Sequence, residues 1–311
     1  MGGIYWLASY PKSGNTWFRA FLHNLQVDGD TPADINEFQT AAIASSRDWI
    51  DEVLTFDSTD LTSAEIERLR PTVYGWAANS EEIGYHKIHD AYTRLPDGEP
   101  LVSREGTLGA VYIVRNPLDL ASSIANHMSC SVDDAISLMG DPERELGGLP
   151  CGLNRQVPQR LFTWSAHVES WIDACDLQCK VVRYEDMWAQ PVETFTGACA
   201  FLGLPTNRSG VEKAIRFSAF SELSHQEEEH GFVGGSGRSS FFRRGQAGGW
   251  RAELTSDQVA RIVADHGTVM RRLGYLDPVN DLEENTVCRP ALTPDTSATQ
   301  IWSGPTSTGR P

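Results

Sequence analysis

The chain has 311 residues, 40% of them apolar, and a formal net charge of −16. That length supports one large core or two small ones, and the excess of carboxylates argues against nucleic acid, heparin-like polymers and anionic membranes as partners. No run of 18 apolar residues offers a membrane span.

Ile4 to Ala8 is an apolar run that predicts a buried strand over 3–9. The polar turn Ser9-Tyr10-Pro11-Lys12-Ser13-Gly14-Asn15-Thr16-Trp17 follows, and a helix is expected over 14–26. A strand, a turn with Gly and Lys, and a helix start together hold a phosphate. The first helical turn presents unpaired N–H groups and the positive dipole end. The turn departs from the nucleoside-triphosphate pattern G-x-x-x-x-G-K-[ST], because Lys12 precedes Gly14 by two positions and position 7 is Leu.

Residues 28–80 are polar and mixed, with helices expected near 37–53 and 63–69. Gly84 to His89 reads as a short strand, and the apolar run Gly109 to Val114 as a central parallel strand. Pro117 opens a helix through about Met128. The Gly-, Pro- and acid-rich stretch 130–155 is expected to be irregular. Leu161, Trp164, Val168 and Trp171 fall at helical spacing within 159–174, as core positions. A strand is expected over 179–184, and helices at 191–203, 209–217 and 256–273. Residues 225–249 read as a polar, glycine-rich, mobile stretch.

Strands alternating with helices predict an α/β fold with one domain over 1–276, its parallel sheet covered by helices on both faces. Residues 277–311, rich in Pro, Thr, Ser and Asp, read as a disordered or loosely docked tail. The six cysteines, at 130, 151, 175, 179, 199 and 288, form no C-x-x-C pair and no His/Cys zinc pattern, so no metal is expected. With no basic segment leading an apolar export stretch, they fit a cytoplasmic protein.

Two further segments concentrate positive charge in this acidic chain. Arg115 stands at the carboxyl end of the apolar strand, where ligands bind in open α/β sheets, and Ser123 follows eight residues on. Phe241-Phe242-Arg243-Arg244-Gly245-Gln246-Ala247-Gly248-Gly249-Trp250-Arg251 sets three Arg among glycines. A planar guanidinium grips phosphate with two hydrogen bonds, and glycine lets the backbone approach closely.

Together with the opening turn, these segments resemble the cytosolic-type sulfotransferases that use 3′-phosphoadenosine 5′-phosphosulfate (PAPS). Tyr10 to Trp17 is similar to the family's 5′-phosphosulfate loop, and Arg115 through Ser123 to its 3′-phosphate strand and helix. Arg243-Arg244-Gly245 with Gly248 and Trp250 resembles R-K-G-x-x-G-D-W, although Arg244 stands for Lys and Gly249 for Asp. His86-Lys87-Ile88-His89 resembles the K-T-H segment, Tyr184-Glu185-Asp186 the Y-E-D, and Ser218-Ala219-Phe220 the T-x-F. The resemblance runs in order from residue 3 to 276, and the opening also resembles bacterial members that modify secondary metabolites. Of the animal dimer motif K-x-x-x-T-V-x-x-x-E only Arg251 and Thr255 remain, so that mode of dimerisation is not expected and the oligomeric state stays open.

The resemblance implies a P-loop-like fold and the following roles. Lys12 stabilises the leaving phosphate oxygen, while Ser13, Gly14, Asn15 and Thr16 hold the 5′-phosphate. Lys87 contacts the sulfate or 5′-phosphate side. Arg115, Ser123, Arg243, Arg244 and Gly245 hold the 3′-phosphate. Trp17 and Phe220 sandwich the adenine, with Tyr184 and Ser218 at its edge. His89 is the general base, a role that suits a group titrating near neutrality, with His86 and His127 as competitors. The acceptor is expected to be a small, partly hydrophobic alcohol or phenol, with an amine also open. It is expected among residues 28–90, 127–160 and 225–242, where Phe18, Trp49, Trp76, Tyr85, Phe232 and Phe241 offer walls. A P-loop small-molecule kinase, and a nucleotide-binding module without chemistry, are the competing readings.

Overall fold

In a computed structural model that describes residues 2–38, 43–79, 81–147, 154–234 and 240–276, β1 (Gly3–Ser9) leads through the polar turn into α1 (Asn15–Val27). Next come α2 (Arg47–Leu54), a 3-10 turn at Ser58–Asp60, α3 (Ser63–Ala77), β2 (Ile83–Ile88), β3 (Thr107–Val114), α4 (Pro117–Met128) and α5 (Val132–Met139). A short hairpin of β4 (Glu145–Leu146) and β5 (Gln159–Arg160) precedes α6 (Trp164–Ile172) and β6 (Cys179–Arg183). The chain then runs through α7 (Tyr184–Ala189), α8 (Pro191–Phe201), α9 (Arg208–Phe217), α10 (Phe220–His230), α11 (Trp250–Glu253) and α12 (Ser256–Arg272). The tail expected over 277–311 lies outside the described residues.

β2, β1, β3 and β6 lie side by side in that order, all parallel. Alternation along the central strands divides the core. Trp6, Ala8, Ala110, Tyr112 and Val114 face the layer built by α2 to α6 and α12, whereas Leu7, Val111, Ile113 and Val182 face the layer of α1 and α7 to α9. Helices therefore cover both faces. Trp164 and Trp171, read as core residues, are completely buried. No described helix is long and apolar enough to cross a membrane.

The differences from expectation have local causes. The helix expected over 37–53 begins at Arg47, where the Ser46 hydroxyl caps Trp49 N. The stretch 130–155 is not wholly irregular, for Ser131 and Asp134 form a capping box that starts α5. The helix expected from residue 159 starts at Trp164 instead, behind Phe162 at φ 57° and the Thr163 cap. α10 (Phe220–His230) fills the start of the segment read as a polar, glycine-rich, mobile stretch. Its sequence FSELSHQEEEH is polar nearly all round, so it carries little helical periodicity.

Candidate active site

The chain leaves β1 for one face of the sheet, through α1, and leaves the adjacent β3 for the other, through α4. The carboxyl ends of β1 and β3 therefore part at a topological switch point, the position at which open parallel sheets bind ligands. A cavity of about 450 Å³ opens there. Every residue expected to hold the cofactor or act on it lines this cavity, except Ser13 and Ser218.

The turn after β1 is shaped for a ligand. Lys12 has a φ of 70°, an uncommon conformation for a side-chain-bearing residue. Gly14 has a φ of 102°, and a Cβ there would lie 2.6 Å from the Tyr184 ring. Asn15 braces the turn by donating to Leu7 O (2.8 Å) and Ser9 Oγ (3.1 Å). No side chain caps α1, so its first N–H groups stay open. Ser13 Oγ, Asn15 Oδ1, Trp17 Nε1 and Arg115 Nε are buried without a hydrogen-bond partner among the described residues. Orphaned polar atoms of this kind are costly unless a ligand or water meets them.

The charge balance points the same way. Lys12 is pushed down to about 8, by burial first and then by Arg115, with Glu227 opposing. Lys87 is pushed down to about 7, by burial and then by Arg19 and Lys12. Burial first, and neighbouring cations second, disfavour the charged lysines, and an anion between them would favour that form again.

His89 is held in one tautomer. Its Nδ1 lies 2.7 Å from Ser9 O, a carbonyl that only accepts, so Nδ1 carries the proton and Nε2 keeps a lone pair. Burial, then Lys87, holds its pKa well below the usual value. Behind it, His167 Nε2 donates to His89 O (2.9 Å) and its Nδ1 accepts from the Tyr112 hydroxyl (2.8 Å). The next residue, Asp90, forms a buried bidentate pair with Arg70 at 2.6 and 3.0 Å. Of the competitors, His86 packs between Trp6 and Trp49 away from the cavity. His127 lines it, with its pKa pushed to about 4 by burial and by the two lysines.

Arg115 bonds Lys12 O (3.3 Å) and Gln246 O (3.2 Å) and lies 4.3 Å over the Tyr184 ring. Glu185 accepts from Asn116 N (2.9 Å) and from the Tyr275 hydroxyl (2.9 Å), which fixes the residue after Arg115. Asp119, on the first turn of α4, accepts from Gly248 N (2.6 Å) and Trp250 N (2.9 Å) and so moors the arginine-rich loop. Arg243 and Arg244 both pair with Glu253. Gly245, at φ 58°, passes so close to Phe220 that a Cβ would overlap its ring. Asp119, Glu185 and Glu253 were missed as site residues. Only Glu185 carried a signal, as the middle of the Y-E-D. Ser218, expected at the adenine edge, is instead fully buried, with its hydroxyl donated to Ala214 O (2.8 Å).

Most of the expected acceptor walls do not line the cavity. Phe18 packs on Phe21 and Phe195, Trp49 stacks on Tyr74, Tyr85 stacks on Tyr5, and Trp76 is 64% exposed away from the cavity. Phe241 does line the cavity, with Phe232 4.9 Å behind it. The remaining wall comes from Tyr10, Ile43, Met128, Leu138, Leu146 and Leu161, with Arg144 among them.

Residues 4–274 match the sulfotransferase domain family. Cytosolic sulfotransferase 13 of Arabidopsis thaliana is 25% identical over 260 residues, which cover 80% of this chain and 71% of that protein. The flavonol 3-sulfotransferase of Flaveria bidentis is 24% identical over 276 residues, covering 82% of this chain and 78% of that protein. Among solved structures, a mouse sulfotransferase complexed with PAP superposes with a TM-score of 0.54 at 20% identity, covering 88% of this chain and 89% of that one.

Proposed function

The chain belongs to the sulfotransferase family, and from that premise we propose that it moves the sulfuryl group of PAPS to a hydroxyl of a small, partly apolar acceptor. The observation that carries this reading is one cavity that joins an uncapped helix start and partnerless buried donors to a neutral imidazole nitrogen.

PAPS supplies a sulfuryl group on a phosphate leaving group. The N–H groups of residues 13–16 and the Thr16 hydroxyl hold the 5′-phosphate, with Lys12 and Lys87 neutralising the charge that grows on the leaving side. Arg115, Ser123, Arg243, Arg244 and Gly245 hold the 3′-phosphate, while Trp17, Tyr184 and Phe220 flank the adenine. His89 Nε2 accepts the proton of the acceptor hydroxyl, and its Nδ1–H keeps the ring aimed by donating to Ser9 O. In the free protein the neighbouring Lys87 lowers the basicity of His89. An anion between them screens that charge, so the base strengthens once the cofactor arrives. The named acceptor of the Flaveria bidentis relative, a flavonol, is in keeping with an apolar wall. A cytosolic setting follows the Arabidopsis relative.

The kinase reading lacks support. The carboxylates that line the cavity, Asp119 and Glu253, are already held by backbone N–H groups and by arginines. Calorimetric titration with 3′-phosphoadenosine 5′-phosphate (PAP) against Mg-ATP tests the cofactor, and metal-free preference for PAP is expected. His89→Ala is expected to bind PAP as the parent does and to lose about a hundredfold or more in turnover. Preference for Mg-ATP, or an unimpaired His89→Ala enzyme, overturns the corresponding part.

A further inference from the structure

The acceptor side of the cavity contains a charged group for which the transfer reaction above has no use, Arg144. Its backbone is fixed: Arg144 O accepts from Leu161 N (2.8 Å) and Phe162 N (3.2 Å), and Arg144 N donates to Asp141 O (3.3 Å). Its partly buried side chain lines the cavity beside Tyr10, Met128 and Leu146. Among the described residues its guanidinium forms no ion pair, and its polar contact is Nη2 to Met128 Sδ at 3.7 Å, a weak acceptor. The nearby Asp141 carboxylate is turned to Glu143 N (2.9 Å). The other cavity arginines are all occupied, Arg243 and Arg244 by Glu253 and Arg115 by two carbonyls. A guanidinium partly withdrawn into an apolar wall gives up part of its hydration, and an anionic ligand would restore the missing partner.

Its place along the cavity is also informative. α4 carries Ser123 on the side assigned to the 3′-phosphate, and Met128, which touches Arg144, lies five residues farther on. That is about 7.5 Å along the helix axis, beyond His127. Tyr10 lines the same cavity, and burial keeps its phenol protonated, so it remains a donor there.

We propose that Arg144, with the Tyr10 hydroxyl beside it, binds a carboxylate of the acceptor, so that the acceptor is a hydroxy acid with an apolar body, its carboxylate at Arg144 and its hydroxyl at His89. The fork of a guanidinium matches the two oxygens of a carboxylate. This rests on the sulfuryl-transfer reading and narrows its acceptor class.

The test is calorimetric, on the full chain saturated with PAP. The probes are para-hydroxy benzoic, phenylacetic and phenylpropanoic acids, each against its amide. At least one acid is expected to bind about tenfold or more tighter than its amide, the scale of a hydrogen-bonded charge contact. Arg144→Met is expected to lower that acid to the level of the amide while leaving amide and PAP affinities unchanged, and Arg144→Lys to recover part of the preference. If no acid binds, if amides bind as well as acids, or if Arg144→Met keeps the preference, the proposal is overturned. Affinity for PAP, measured first in the same cell, reports separately on the sulfotransferase reading.

Discussion

The ammonium of Lys12 stands 3.6 Å from the centre of the Phe241 ring. No carboxylate among the described residues forms an ion pair with this lysine, so the aromatic face supplies its nearest compensation. The ring is itself held, because Glu227 on α10 accepts from Phe241 N (2.6 Å) and Phe242 N (2.8 Å). Phe241→Leu is expected to lower kcat/KM for the acceptor by about 3- to 30-fold, the range of one cation–π contact plus lost wall. Affinity for PAP should change less. Steady-state kinetics with a parallel PAP titration checks this, and an equal loss in PAP affinity would move Phe241 to the cofactor side.

Lys12 near 8 and Lys87 near 7 make cofactor binding depend on pH. A phosphate or sulfate favours the charged lysines and raises both values in the complex, so above pH 7 binding must take up protons. The affinity for PAP is expected to fall between pH 7 and 9, by up to about tenfold per pH unit for each lysine. Titration in buffers of different ionisation enthalpy measures the proton uptake directly. The same shift acts on stability. Both lysines have folded values below the ordinary 10.5, so the unfolded chain holds more protons between about 7 and 10.5 and the pair adds stability as pH rises through that window. Lys87→Met is accordingly expected to raise the thermal midpoint at pH 6 by a few degrees, roughly 1–2 kcal/mol, while abolishing tight PAP binding.

Asp119 and Glu253 should act in opposite directions. Asp119→Asn weakens the mooring of the loop that carries Arg243 to Gly245, and is expected to weaken PAP by about tenfold. Glu253→Gln frees two arginines that its carboxylate holds, and is expected to tighten PAP by about 2- to 5-fold, a small gain because Arg243 and Arg244 lie partly in solvent. If Glu253→Gln instead weakens binding, Glu253 presents the arginines to the ligand and does not compete with it.

The side of the cavity built by the turn after β1 and the start of α4 was legible because its residues sit in contiguous segments. Lys12 to Trp17 and Arg115 to Ser123 each follow a strand whose apolar run is unmistakable. The acceptor half was not, because residue type does not say which face a side chain takes. Phe18, Trp49 and Tyr85 have the composition of a pocket wall, but the helix and strand periods turn them into the core. Arg144 and Leu146 sit at a hairpin of two-residue strands, too short for any periodic signal. Asp119 reads locally as an acid in a first helical turn, a place favoured by the dipole. Its partners, Gly248 and Trp250, stand 129 and 131 residues away.

The loop bearing Ile43 and the segment around Gln156 are fastened outside the edge strand β2, through Ala44 N to Lys87 O (2.7 Å) and Val157 N to Ser45 O (2.9 Å). They add Ala44 and Val157 to the core, and with the β4–β5 hairpin they form much of the apolar wall of the cavity. The turn after β1, Arg115 after β3 and Tyr184 after β6 stand, by contrast, at the carboxyl ends of three adjacent strands. Changes in this outer layer can therefore reshape the apolar wall and leave those strand ends in place.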